Sequence, residues 1–301
     1  MKLQKYILSL LVLVMAAVLP AHSQTATFPY PQIPDVYRDV EQRAKYLAEH
    51  YWDNFQFRDT TVLNNADITE QGFSNFLDLL PRFSPETQQL GITAFTAKAF
   101  QTPQSKERFQ KLIDHYLGNP ESPFQNDAFY QKLLTAMKER PEFDETEKEQ
   151  LAYKAKIAGL NLPGTTATDF TFVDRQGKTH RLSDYKAGPV LLYFNDPDCE
   201  VCHATTQKMK QSTIPQDITV IAIYGDTETE EWKKNPQPFP TRWIDGYSPK
   251  GEIVTRQLYD LHAMPALYLL DVDNLVVLKD RPWEQIQQVI NQAGQTTEKQ
   301  K

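Results

Sequence analysis

Cysteine is nearly absent: 301 residues hold only two, Cys199 and Cys202, separated by Glu200 and Val201. A fold stapled by disulfides in an oxidising compartment would show several spaced pairs. A bond between these two would close too short a loop to constrain the chain much. Structural zinc wants four ligands, and no second cysteine pair exists to join His203 and these thiols. Redox chemistry or ligation therefore accounts for the pair better than stapling. Basic charge is also short, with 32 Lys and Arg against 39 Asp and Glu. Such a chain has little to neutralise phosphates with, which argues against a nucleic-acid partner. Long apolar runs are missing past the N-terminus, where none approaches the roughly 20 residues that span a bilayer.

The N-terminus itself is distinctive. Met1–Lys5 carries two lysines, Tyr6–Leu19 is almost unbroken apolar sequence, and Pro20 breaks it before Ala21-His22-Ser23. Small residues at the two positions a signal peptidase reads predict a signal peptide over 1–23, cleaved before Gln24. The mature protein is then expected in the periplasm with no stable membrane anchor. The alternative is an uncleaved segment holding it at the inner membrane. Cleavage removes Lys2 and Lys5 and leaves 30 basic side chains against 39 acidic ones, a net charge near −9. The 278 residues that remain are enough for two domains.

Residues 24–158 are expected to form an all-helical domain of about six helices. Over Asp35–Phe55, Val36, Val40, Ala44, Leu47, Tyr51 and Phe55 recur at helical steps, and Phe73, Phe76, Leu77 and Leu80 repeat the pattern over Thr69–Leu80. Ser84-Pro85 and Thr102-Pro103 each read as an N-cap with proline at the first helical position. Asn126 and Asp144 read as two further caps. At Gly159 the rhythm changes. Asp169–Val173 and Lys178–Leu182 flank a hairpin turn. Val190–Phe194, Ile218–Tyr224, Ala266–Asp271 and Leu275–Leu278 read as buried strands. Helices are expected at Glu200–Ser212, Thr227–Lys234, Thr255–Leu261 and Trp283–Ala293. Strands alternating with helices predict an α/β fold over 159–294, with a central sheet flanked by helices. A frayed, disordered tail is expected at 295–301.

Cys199-Glu200-Val201-Cys202 follows strand Val190–Phe194 across Asn195-Asp196-Pro197-Asp198 and opens a helix. Free N–H groups and the macrodipole at a helix N-terminus favour a thiolate. Cys199 is thus the expected nucleophile, and Cys202, one turn on, the resolving thiol. Met264-Pro265, directly before a strand, is where a cis bond fits.

With these residues in view, 162–293 resembles the periplasmic thioredoxin-like proteins of the TlpA/ResA type. The likeness rests on Asp169-Phe170, Leu182-Ser183-Asp184-Tyr185, the run Leu192 to His203, and Met264-Pro265-Ala266-Leu267-Tyr268. The 63 residues from Cys202 to Pro265 exceed the spacing of plain thioredoxin and fit the extra strand–helix insertion of that group. The helical half, through Tyr51-Trp52-Asp53-Asn54-Phe55 and Asn119-Pro120-Glu121-Ser122-Pro123-Phe124, resembles an uncharacterised domain preceding such modules in exported Bacteroidota proteins. The resemblance implies a thiol–disulfide oxidoreductase acting on protein disulfides or thiols. It also implies substrate held at Met264 and Pro265, a membrane thiol relay as electron donor, and no dissociable cofactor beyond the redox-active Cys199–Cys202 disulfide.

Two departures bear on the chemistry. Thioredoxin has Trp before its first cysteine and a buried carboxylate six residues before it; here these are Asp198 and Tyr193. Asp198 and Glu200 oppose the helix dipole at Cys199, which tilts the pair towards reducing substrates. Pro197 and His203 complete the flank. Two rival readings stand beside this one. Cys199–His203 also spells the c-type haem motif C-x-x-C-H, with Met264 as a conceivable axial ligand. A non-catalytic protein that binds a partner through its helical half is the other.

Overall fold

The structure is a computed structural model that describes residues 27–225, 229–234 and 239–298. The signal-peptide reading over 1–23 lies outside the described residues, as do 299–301.

Seven α-helices precede the sheet among the described residues: α1 (Val40–His50), α2 (Thr60–Asn64), α3 (Ala66–Leu79), α4 (Pro85–Ala99), α5 (Pro103–Ile113), α6 (Asp127–Lys138) and α7 (Glu145–Ala158). The expected caps are in place. Ser84, Thr102 and Asn126 each accept a backbone N–H three residues on, and Asp144 forms a reciprocal capping box with Glu147. The expected helix over Asp35–Phe55 is shorter. Asp39 caps it by accepting from Gln42 N, so Val36 and Val40 stay exposed and only Val40–His50 is helical. Beyond His50 the chain turns, which swings Tyr51, Trp52, Phe55 and Phe57 into one aromatic core with Phe73, Phe76, Phe95 and Phe109. The helix beyond the six expected, α2, spans only five residues and is too short to show a stripe.

The second half forms a seven-stranded mixed sheet in the order β2-β1-β5-β4-β3-β6-β7. The strands are β1 (Thr171–Asp174), β2 (Thr179–Arg181), β3 (Val190–Asn195), β4 (Thr219–Tyr224), β5 (Ile244–Tyr247), β6 (Ala266–Leu270) and β7 (Val276–Lys279). The central strand β3 is buried throughout, parallel to β4 and antiparallel to β6. Its side chains alternate between two cores. Val190, Leu192 and Phe194 join Tyr259 and Tyr268 on one face, while Leu191 and Tyr193 meet Met209, Trp283 and Ile286 on the other. The helices of this half are α8 (Glu200–Gln211), α9 (Thr229–Lys234), α10 (Glu252–Thr255) and α11 (Trp283–Glu298).

Three readings of this half need correction. Strand β5 was not anticipated, because Ile244-Asp245-Gly246-Tyr247 lacks an apolar run. It pairs all the same, and Gly246 is required there, since a Cβ would lie 2.7 Å from the Phe172 ring. The helix expected at Thr255–Leu261 is instead α10, ending at Thr255. Gln257 takes a left-handed φ of 50° and Leu258 N bonds back to Ile253 O, which turns the chain away. The last helix does not stop near Ala293 but runs to Glu298, so the tail expected to be disordered from 295 is helical as far as it is described. One glycine costs a helix only about 1 kcal/mol, too little to end it.

The halves are pinned together by polar contacts. Lys279, 2 % exposed, donates to Ala158 O at 2.7 Å and lies 3.7 Å from Asp127. Arg281 donates to Gln125 O at 2.8 Å. Asn161, just past the junction, braces the start of the second half by bonding Leu258 O and Thr168 N, both at 2.8 Å.

Candidate active site

Strand β3 delivers the chain to a tight turn. Asp196 Oδ1 accepts from Asp198 N at 2.8 Å, and Asp196 O accepts from Cys199 N at 3.2 Å. This Asx turn places Cys199 at the N-cap of α8. Its Sγ accepts the N–H of Cys202 at 3.1 Å, the role a Ser or Asp oxygen plays in an ordinary cap. The cap position suits a thiolate, because an otherwise unpaired N–H and the helix dipole both point at the sulfur. Strand pairing supplies the opposite wall. Phe194 lies across from Ala266, which brings the preceding Met264-Pro265 bond, in the cis form, beside the cysteines. Met264 O is 3.8 Å from Cys199 Sγ.

The two sulfurs differ in setting. Cys199 is half-buried, whereas Cys202 is 1 % exposed. Burial, and after it the hydrogen bond with Cys199, push the Cys202 thiol well above the usual range, so it stays protonated at neutral pH. Tyr193 supports it from below. Its hydroxyl donates to Cys202 O at 2.7 Å and lies 2.9 Å from Thr206 Oγ1. A phenol has one proton, so Thr206 is the donor in the second bond. Burial raises the Tyr193 hydroxyl far above neutrality, which makes it a fixed donor rather than a base.

The flanking residues fall as follows. Pro197 is buried and its carbonyl lies 2.7 Å from His203 Nε2. A carbonyl only accepts, so that nitrogen carries the proton and ties the turn to the first turn of α8. Asp198 and Glu200 are both exposed beside Cys199. The structure thus gathers Pro197, Asp198, Cys199, Glu200, Cys202, His203, Met264 and Pro265 around one helix N-terminus. Thr206 was not anticipated; only its place one turn beyond Cys202 hinted at it. Among the described residues no cluster of three His, Cys, Asp or Glu is placed to hold a metal ion.

Residues 163–278 match the AhpC/TSA family, and residues 16–161 match a domain of unknown function, DUF5106. The chain is 35 % identical to a thioredoxin-like protein from Bacteroides caccae of known crystal structure. That match covers 88 % of this chain and 98 % of the other, with a TM-score of 0.73. The chain belongs to this thioredoxin-like family. The chain is also similar over part of its length to the C-terminal domain of an uncharacterised protein from Bacteroides fragilis. The identity is 34 % over 44 % of this chain and 98 % of that one, with a TM-score of 0.42. A thioredoxin domain of a thiol-disulfide oxidoreductase from Bacteroides vulgatus shares 21 % identity over 43 % of this chain and 96 % of its own, with a TM-score of 0.36. Among curated proteins none matches.

Proposed function

We propose that the protein is a thiol–disulfide oxidoreductase working outside the cytoplasm, where it reduces protein disulfides. The observation that carries this reading is the asymmetry of the pair: Cys199 Sγ caps α8 in reach of solvent and Met264 O, while Cys202 is buried behind it. The Cys199 thiolate attacks a substrate disulfide, breaking its S–S bond and releasing one substrate thiolate. The remaining substrate sulfur is now bonded to Cys199, against the Met264-Pro265 backbone. Cys202 then attacks Cys199 Sγ, the bond between Cys199 and the substrate sulfur breaks, and the Cys202 proton passes to this second substrate thiolate as it leaves. A Cys199–Cys202 bond forms, and two electrons have passed to the substrate.

Asp198 and Glu200, both exposed beside Cys199, put two acidic side chains at the attacking end of the pair, which supports the reducing direction. The apolar N-terminal run with its small-residue site supports export. Among the described residues no helix is long and apolar enough to cross a membrane. Re-reduction of the enzyme calls for a dithiol donor, for which a membrane thiol relay is the partner we assign. The reaction needs no dissociable cofactor. The c-type haem reading fits poorly. Thioether attachment needs both sulfurs open, whereas Cys202 is buried and His203 Nε2 is committed to Pro197 O.

Insulin reduction, followed by precipitation of the freed chains, tests the proposal. Wild type should turn over with an added dithiol donor, and Cys199→Ser should fall to the rate of the donor alone. Equal rates for the two proteins would defeat it.

A further inference from the structure

Where the two halves meet there is a cavity of about 470 Å3, within the usual span of ligand sites. Asp127, Tyr130, Tyr153 and Ile157 line it from the helical half, and Tyr259, Asp260, His262 and Asp280 from the thioredoxin-like half. Met264 and Asp196 line it too. These are the residues whose carbonyls meet Cys199 Sγ and Cys199 N, so the cavity begins at the wall of the thiol site.

Its charge is one-sided. Asp127, Asp196, Asp260 and Asp280 face it, against Lys154 and His262. Most of these have partners. Lys154 pairs with Asp114 at 2.8 Å, His262 with Asp260, and Asp127 accepts from Gln125 Nε2 at 3.0 Å and lies 3.7 Å from Lys279. Asp280 differs. No described residue donates a hydrogen bond to its carboxyl, and its backbone holds a left-handed φ of 45°. Burial first, then Asp260 and Asp127, push that carboxyl up to about 7, while His262 and Lys279 only partly offset them. Lys154, Lys279 and Arg281 are bonded to Asp114, Ala158 O and Gln125 O, and no described cation forms an ion pair with Asp280. Tyr130, Tyr153 and Tyr259 have their hydroxyls bonded to Asp114, Gln257 and Thr168, so they offer ring surface, which also suits a cation.

We infer that this cavity receives a basic side chain flanking the substrate's disulfide, held by Asp280 with Asp127 across the boundary between the halves. The inference rests on the oxidoreductase reading and gives the helical half a part in choosing substrates. Lysine or arginine near the target cysteine supplies the missing charge while the disulfide lies at Cys199. The electron balance is the one given above, with an external dithiol as reductant.

Disulfide-linked dimers of acetyl-Lys-Gly-Cys-Gly-Lys-amide, and counterparts with Gln or Glu at both lysine positions, test this. Free dithiothreitol sets the intrinsic reactivity of each. Relative to that reference, wild type should favour the Lys dimer over the Gln dimer by about tenfold in kcat/KM, the size of one charged hydrogen bond. The Glu dimer should be the poorest. Asp280→Asn, which keeps the left-handed backbone, should bring the Lys-to-Gln ratio below about three, and Asp127→Asn in the helical half should lower it as well. Thermal melts confirm that both variants fold. Turnover of the Gln dimer with no preference for Lys would overturn the inference and leave the oxidoreductase reading standing. No Cys199-dependent turnover of any dimer would overturn both.

Discussion

The helical half and the thioredoxin-like half bury their apolar residues in different ways. In the helical half one core gathers around Trp52, whose ring lies 5.1 to 5.8 Å from those of Phe28, Phe55, Phe57, Phe95 and Phe109. Nearly every aromatic residue there is spent on packing. In the other half the sheet divides the core in two, and strand ends emerge from between the layers. Asp196, Cys199 and Met264 sit at such ends. A layered sheet leaves polar groups at a fixed edge, and a helical core of this kind does not. The helical half therefore reaches the chemistry only where the two meet, through Asp127 and the wall it shares with Asp280.

Removing the centre of the helical core should be the most costly change. Trp52→Ala is expected to cost about 3–5 kcal/mol in urea unfolding, the usual range for a buried large aromatic. The rate at which iodoacetamide alkylates Cys199 in the folded protein should not change. A parallel shift in alkylation would break the division between the halves, because it would mean that the helical core holds the thiol site in shape.

A smaller effect sharpens the comparison at the boundary. The Asp280 carboxyl is pushed up to about 7 in the folded protein, well above its ordinary value of 3.8. The folded state binds this proton more tightly than the unfolded one, so its contribution to stability is full below about pH 4 and is lost as pH rises through 7. Asp280→Asn should then be more stable than wild type at pH 8 by about 1 kcal/mol, a figure kept small because Asp280 retains some exposure. The gap should close towards pH 4. Melting curves across that range check it, and a constant gap would place the strain elsewhere.

The sequence disclosed these parts unevenly, for physical reasons. Strand β3 was legible because a strand buried on both faces must be apolar throughout. Cys199, Cys202, Met264 and Pro265 were legible because their chemistry needs a strand, a turn and a helix start in that order. Strand β5 was hidden because its pairing relies on Gly246 and on two neighbours elsewhere in the chain, β4 and the far more distant β1, not on its own hydrophobicity. Helix α10 was misplaced because a left-handed Gln257 leaves no compositional mark. Asp260 and His262 stand only a few residues before Met264, yet their meeting with Asp127 and Asp280 depends on how the halves dock. No local pattern carries that.

The central claim is that Cys199 attacks and Cys202 resolves. Intact-mass spectrometry of the reduced Cys202→Ser variant mixed with a peptide disulfide tests it most directly. One peptide should be found on Cys199, stable until a dithiol is added, and wild type treated alike should carry none because Cys202 releases it. No adduct on Cys202→Ser, or a lasting adduct on Cys202 in Cys199→Ser formed at the same rate, would contradict the assignment.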